Sequence, residues 1–260
     1  FIVPNFVDKD INDTEAYNNT ERYYPFLQSL NTVDELESYI DIMAASKGIK
    51  RNEPGYPMFV SYIVSCRFFH GFSHWNLNQN WIAALGQKIT GIGLACKVQP
   101  EAIMKDNFAG CSQQVLVMME IFRRKGLNYR KVGFPHHYTV EVESKGKWYF
   151  FDPDLEPAMN LHQREFSAWQ GKGENLKHFY AAKVNQQDLD FHFGDTKQVA
   201  ELGIVNEIPA GNLRAFQNIT ALLSKILFLL PLFILYRRVK SFSFARKENL
   251  QPTEFQLVAA

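Results

Sequence analysis

The run "ITALLSKILFLLPLFILY", residues 219–236, constrains this chain more than any other feature, because only Thr220, Ser224 and Lys225 interrupt its apolarity. As an α-helix it reaches about 27 Å, just enough to cross the hydrocarbon core of a bilayer. Lys225 lies in the second turn, where its stem can snorkel to the interface, and Pro231 is tolerated better in a membrane helix than in a soluble one. Basic residues follow at Arg237, Arg238, Lys240, Arg246 and Lys247. The positive-inside tendency then places a basic tail, residues 238–260, in the cytoplasm and the main domain outside it. One C-terminal transmembrane span over residues 218–237 is therefore expected, with the lipid bilayer as partner through residues 219–236. The alternative is a buried core helix, since the run sits at the short end of spanning lengths.

The formal charge of +1 on 260 residues offers no basic face, so no nucleic-acid partner is expected. Cys66, Cys96 and Cys111 are too few and too widely spaced for a disulfide framework or a CxxC zinc site, and an odd count leaves at least one thiol unpaired within the chain. Phe1 in place of Met, followed by "IVP", suggests a processed or truncated start. Residues 1–55 read as a peripheral region with one helix in "TVDELESYIDIMAASKG", where Leu36, Ile40 and Met43 share a stripe and Gly48 is a stop signal. Residues 56–195 carry the densest aromatic content and read as the main domain. Within it "MFVSYIVSCRFF", residues 58–69, reads as a strand by its β-branched and aromatic content, although its continuous apolarity also permits a buried helix. "NWIAALGQKI", residues 80–89, reads as a short helix. Pro209 and Gly211 in "NEIPAGN" mark a linker, placed at residues 196–217.

The clearest helix is "CSQQVLVMMEIFRRKGLN", with Val115, Met118, Met119 and Phe122 on one stripe, Arg123, Arg124 and Lys125 in the last turn and Gly126 to end it. Cys111 opens it, where backbone N–H groups are unpaired and the macrodipole favours a thiolate. Gly110, having no side chain, lets another chain come close to that thiol. A hairpin follows, "HHYTVEVESKGKWYFFDPD". Alternation puts Tyr138, Val140 and Val142 on one face of its first strand and Tyr149 and Phe151 on one face of its second. A turn at Ser144 and Lys145 pairs Val142 with Lys147, Val140 with Tyr149 and Tyr138 with Phe151. His137 then lies opposite Asp152, with Cα atoms about 5 Å apart. A bulge at Gly146 would change that register, but an even shift keeps the two on one face. A carboxylate beside an imidazole orients the ring, fixes its tautomer and stabilises its protonated form, which favours a neighbouring thiolate. Cys111 is thus the candidate nucleophile, His137 the general base and acid, and Asp152 the orienting group.

These three stretches, "GCSQQVLVMMEIFRRKGLNYRKVGF", "HHYTVEV" and "GKWYFFDPD", resemble the transglutaminase-like superfamily: a cysteine at a helix start, then His-x-x-x-Glu-Val, then Gly-x-Trp-x-x-x-Asp-Pro. The resemblance covers residues 109–154 and extends back to about residue 75. Glu141 and Val142 select His137 over His136 as the catalytic histidine, and Asp152-Pro153 matches the terminal pair. It implies an α+β, papain-like core in which the cysteine helix packs on an antiparallel sheet. The interval from Cys111 to His137 is short for that superfamily, which implies a trimmed excursion and a more open cleft. Beside the Cys111 amide, it also implies a second oxyanion donor upstream, for which Trp75, Gln79 and Trp81 are candidates.

His70 and His74 in "HGFSH" have helical ligand spacing, but Gly71 and Ser73 lie between them and no acidic or cysteine partner is near in sequence, so neither a metal nor a cofactor is expected. "NDT", "NNT" and "NIT" match glycosylation sequons, which are frequent by chance. The expected function is a membrane-anchored thiol enzyme acting on an amide or acyl bond of a protein or peptide substrate through a thioester, as a cysteine peptidase, amidase or acyl transferase. The alternative is a non-catalytic, membrane-anchored binding or scaffolding module that keeps the fold.

Overall fold

Thr32 starts the first long helix by accepting a hydrogen bond from the Glu35 amide while the Glu35 carboxylate reaches back to the Thr32 amide. That helix, α1 (Val33–Ser46), buries Val33, Leu36, Ile40 and Ala44 along one stripe. The computed structural model to which it belongs describes residues 23–248, so the readings at Phe1 and at the sequons of Asn12 and Asn18 lie outside the described residues, as do the last twelve residues of the tail.

Of the two readings of residues 58–69, strand or buried helix, the helix is found, as α2 (Gly55–Arg67). It buries Tyr56, Val60, Ile63, Val64 and Cys66, and a helix covered on so many sides loses the 3.6-residue period that would identify it. Arg67 is fully buried at its end and donates to the carbonyls of Leu30, Asp106 and Met104. Next come α3 (Leu77–Thr90), α4 (Pro100–Ile103) and α5 (Cys111–Arg124). α5 buries the expected Val115, Met118, Met119 and Phe122, and Gly126 follows it in the left-handed region at φ 68°.

Four antiparallel strands, β1 (Tyr129–Gly133), β2 (Tyr138–Ser144), β3 (Lys147–Phe151) and β4 (Glu201–Leu202), lie in the order β3-β2-β1-β4. Val140, Val142, Tyr149 and Phe151 belong to the same core as the buried stripes of α1, α2 and α5. Fully burying such a side chain contributes about 1.5–3 kcal/mol. Val132 and Phe150 belong to a second core with Phe134, Trp169, Leu176, Tyr180, Leu189 and Phe193. That second layer is made of four short helices, α6 (Leu161–Arg164), α7 (Phe166–Trp169), α8 (Glu174–Lys177) and α9 (Gln186–Phe193), and their connections.

The β2–β3 register differs from the expected one by two residues: Val140 pairs with Phe151, Val142 with Tyr149 and Ser144 with Lys147. The turn is Lys145-Gly146, both at positive φ (51° and 74°). A two-residue hairpin turn of this kind needs left-handed backbone at both central positions, and glycine takes the second without strain. Centring the turn on Ser144 would have put that demand on a serine and left Gly146 in the strand.

The last helix, α10 (Gly211–Glu248), begins inside the expected linker, and β4 also falls within residues 196–217. Its first turns dock on α3 through polar side chains. The Asn80 amide donates to the Gln217 carbonyl and Thr220 Oγ1, Ser224 Oγ donates to Asn80 Oδ1, and Trp81 Nε1 donates to the Ser224 carbonyl. Gln217 Nε2 donates to the carbonyls of Leu94 and Cys96, while its Oε1 accepts from the Val98 amide. Beyond them Ile226, Leu229, Leu230, Phe233 and Ile234 are exposed. Residues 211–240 are long and apolar enough to cross a membrane, and only 12% of the apolar window is buried.

Candidate active site

Cys111 is the first residue of α5, so its backbone N–H has no helical carbonyl to bond. The start of the helix is fixed by Gln113, whose Oε1 accepts from the amides of Ser73 and Gly110 and whose Nε2 donates to the carbonyls of Ser73 and Lys97. Gly110 lies at φ −71°, so it is not there for left-handed backbone. The Phe72 ring fills the space beside it, 2.8 Å from where a Cβ would stand. The close approach expected at Gly110 is thus made by this chain's own aromatic ring.

His137 lies just before β2 and Asp152 just after β3. In the observed register they are diagonal rather than opposite, yet they share a face, and His137 Nε2 stands 2.7 Å from Asp152 Oδ2. Asp152 Oδ2 also accepts from the Tyr180 hydroxyl at 2.9 Å, and its Oδ1 accepts from the amides of Asp154 and Leu155. Burial pushes the Asp152 carboxyl up, but the His137 imidazole and these donors outweigh it and hold the group below the usual carboxylate range. Burial pulls His137 down, and Asp152 together with Cys111 overrides that and keeps it well above an ordinary histidine. Burial and the adjacent Asp152 keep Tyr180 protonated far above the usual tyrosine range, so it serves as a fixed donor.

The far side of the ring faces the thiol. A nitrogen of His137, Cys111 Sγ and a carboxylate oxygen of Asp154 all lie within 4.8 Å of one another. Since Nε2 is engaged by Asp152, and His137 Nδ1 is buried without a hydrogen-bond partner among the described residues, Nδ1 is the atom left for Cys111. His136, the other histidine of the pair, stacks on Phe191 at 4.0 Å instead. Cys111 keeps 8% of its surface and His137 none, so the open cleft expected from the short interval is not found. Phe193, at 5.4 Å from the His137 ring, and His192, at 5.3 Å, close one side, and Phe72 closes another. Burial and the charge of His137 lower the His192 imidazole below its ordinary value.

The three oxyanion candidates part company. The Gln79 side chain caps α3 by accepting from the Asn76 amide, and Trp81 is bonded to α10. Trp75 lies two residues from Ser73, in the segment that Gln113 ties to the start of α5, and its buried Nε1 has no acceptor among the described residues. A largely apolar cavity of about 570 Å³ is lined by Ser112 and Tyr138, the neighbours in sequence of Cys111 and His137, and runs past Phe72 and Cys96 to Leu213 and Phe216 of α10. Burial, with a smaller contribution from Cys111, pushes the Cys96 thiol of that wall up to about 12.

Asp154, Tyr180 and Gln114 carry no separate signal in the sequence, and His70 stands out there only as half of the HxxxH pair. The Asp154 side chain is 2% exposed, and its Oδ1 lies 2.7 Å from His70 Nδ1 and accepts from Gln114 Nε2 at 2.9 Å. The HxxxH pair is therefore divided: His70 holds this carboxylate, while His74 lies in a bridge with Cys96. Tyr180 had no signal available, since only the fold brings residue 180 to residue 152. The second acid of "DPD" and the Gln-Gln after Cys111 were visible, but not their meeting. The chain carries a Cys-His-Asp group on a helix and an antiparallel sheet. Searches against protein-family models, curated proteins and solved structures find no match to it.

Proposed function

We propose that the chain is a thiol enzyme of transglutaminase-like type acting on an amide or acyl bond, held at a membrane by α10 with its domain outside the cytoplasm. The observation that carries the reading is the two-sided His137 ring, with Asp152 at 2.7 Å on Nε2 and an unpartnered Nδ1 turned to Cys111. The Nε2 proton, donated to Asp152, leaves the Nδ1 lone pair to take the thiol proton. The Cys111 sulfur then attacks the carbonyl carbon, the Cys111 amide stabilises the developing oxyanion, and His137 returns the proton to the leaving amine as the C–N bond breaks. The thioester is released by water or by an acceptor amine, again with His137 as base. Trp75 is the candidate for the second oxyanion donor. The apolar cavity beside Ser112 supports an acyl substrate with an apolar portion, and a protein or peptide is the substrate class. The exposed apolar face of α10, beside the exposed Leu85, Ile89 and Ile92 of α3 and the loop after it, supports the membrane location. The basic residues after position 236 support a cytoplasmic tail.

Iodoacetamide alkylation followed by peptide mass, which assigns the label to Cys111 rather than to the likewise buried Cys66 and Cys96, tests the site. At pH 7 the wild type is expected to react at least about tenfold faster than a folded His137→Asn chain. Equal rates in the two chains overturn the reading. Unchanged biological activity of a folded Cys111→Ala chain would favour the scaffolding alternative.

A further inference from the structure

The acyl chemistry uses Cys111, His137 and Asp152 but leaves Asp154 without a task. This carboxylate is held inside the protein at some cost, since a buried acid must be hydrogen-bonded to be retained. Both of its bonds, from Gln114 and with His70, fall on Oδ1, so Oδ2 is the oxygen left to take a further partner. A carboxylate oxygen of Asp154 stands within 4.8 Å of the Cys111 thiol and of an imidazole nitrogen of His137. With Nε2 engaged by Asp152, the nitrogen open to a ligand is Nδ1, fully buried and without a partner among the described residues.

From this arrangement we infer that Cys111 Sγ, His137 Nδ1 and Asp154 form a three-ligand site for a thiophilic divalent cation such as Zn²⁺. Zinc takes sulfur at about 2.3 Å, imidazole nitrogen at about 2.0–2.1 Å and carboxylate oxygen at about 2.0–2.2 Å in a tetrahedral array. Those lengths set ligand atoms roughly 3.3–3.6 Å apart, so closing the group requires movements of about 1.5 Å at most. The surroundings are those a zinc site needs. Asp152 holds the far nitrogen of the ligating imidazole, the carboxylate–histidine arrangement that fixes the tautomer, and Gln114 and His70 orient the ligating carboxylate. Binding releases to solvent the one proton that the Cys111–His137 pair shares, so that thiolate sulfur and the Nδ1 lone pair both face the cation and a fourth position is left for water. The inference rests on the same Cys111–His137 pair as the proposed acyl chemistry and adds a regulation of it. A bound cation withholds both nucleophile and base, so the metal-loaded chain is arrested and chelation releases it.

The test uses the full chain in detergent with the metal alone. Increasing Zn²⁺ is expected to protect Cys111 from iodoacetamide at one metal per chain, and Asp154→Asn is expected to need at least tenfold more Zn²⁺ for the same protection, the range seen when a ligand or its support is lost. Co²⁺ in the wild type is expected to give a thiolate-to-cobalt absorption band that Cys111→Ser lacks, a readout that does not depend on the folding of the Asp154 variant. Absence of protection and of the band overturns the inference, as does equal protection in wild type and a folded Asp154→Asn chain. Both readouts are independent of turnover. A chain that binds Co²⁺ through Cys111 but alkylates no faster than His137→Asn when metal-free loses the acyl reading and keeps this one, and the reverse result does the opposite.

Discussion

α5 and α10 are both rich in aliphatic residues, yet one is the other turned inside out. α5 buries Val115, Val117, Met118, Ile121 and Phe122, and its charged Arg123 reaches the surface. α10 buries Gln217, Thr220 and Ser224, while Ile219, Leu222, Ile226, Leu229 and Leu230 face outward. The apolar side chains of α5 are used by the fold. Those of α10 beyond Leu213 and Phe216 are largely not, and monomeric soluble proteins rarely leave so continuous an apolar surface to water. Its polar groups instead meet Asn80, Trp81 and the Leu94 to Val98 carbonyls and amides, which is where polar atoms belong when the outside is hydrocarbon. Apolarity alone does not distinguish a core helix from an anchor; which side of the helix the fold uses does.

The sharpest break in this comparison comes from placing charge on each helix. Val117→Asp puts an unpaired carboxylate in a fully buried position and is expected to cost more than about 4 kcal/mol, abolishing the cooperative thermal transition followed by circular dichroism. Ile226→Asp with Leu230→Asp is expected to leave that transition within about 0.5 kcal/mol in detergent. The same pair raises the cost of membrane insertion by roughly 5–7 kcal/mol, so carbonate should now extract the chain from membranes. If the double variant melts the domain instead, α10 belongs to the core. A smaller effect is expected at the docked end. Gln217→Ala leaves the Val98 amide and two carbonyls without their partner, costing about 1–3 kcal/mol in the same melt, whereas Ile219→Ala beside it is expected to change less than about 0.5 kcal/mol.

The smallest effect is on pH dependence. Asp152 titrates lower in the fold than in the unfolded chain, so its stabilisation is present above about pH 4 and is lost as the pH falls through the folded value. His137 titrates higher in the fold, so its stabilisation is complete below about pH 6.5 and fades as the pH rises through the folded value. The difference in melting between wild type and Asp152→Asn should therefore be widest between about pH 4 and 6.5 and narrow on either side. The Gln217→Ala penalty, which involves no titrating group, should stay level over the same range.

Periodicity showed α1, α3 and α5 because each keeps one wet face. It failed for α2, whose burial on many sides makes its pattern resemble that of a buried strand. The His137–Asp152 pair was legible because alternation fixes which face a strand residue occupies, whereas the register was not, since it depended on Lys145 accepting a left-handed backbone. The linker reading at residues 196–217 took Pro209 and Gly211 as loop signals when they stand at the entry to α10. The spacing of Gln217, Thr220 and Ser224, one polar stripe down an apolar helix, was the overlooked sign that this end is docked. Tyr180 meets the site only through the packing of the second layer, and Asp154 only through the meeting of the β3 end with α5 and His70, which no local pattern encodes.

The Lys145-Gly146 turn shows what kind of change the site can survive. Sliding β3 along β2 by two residues, as separates the expected from the observed pairing, keeps imidazole and carboxylate on one side of the sheet. Adding or deleting a single residue within either strand would put them on opposite sides, with all three reactive residues still present in the chain. The site is therefore encoded by a count as well as by residue identities. A relative of this chain that keeps the cysteine, the histidine and the aspartate but has an odd-length change in this hairpin should be expected to lack the imidazole–carboxylate contact.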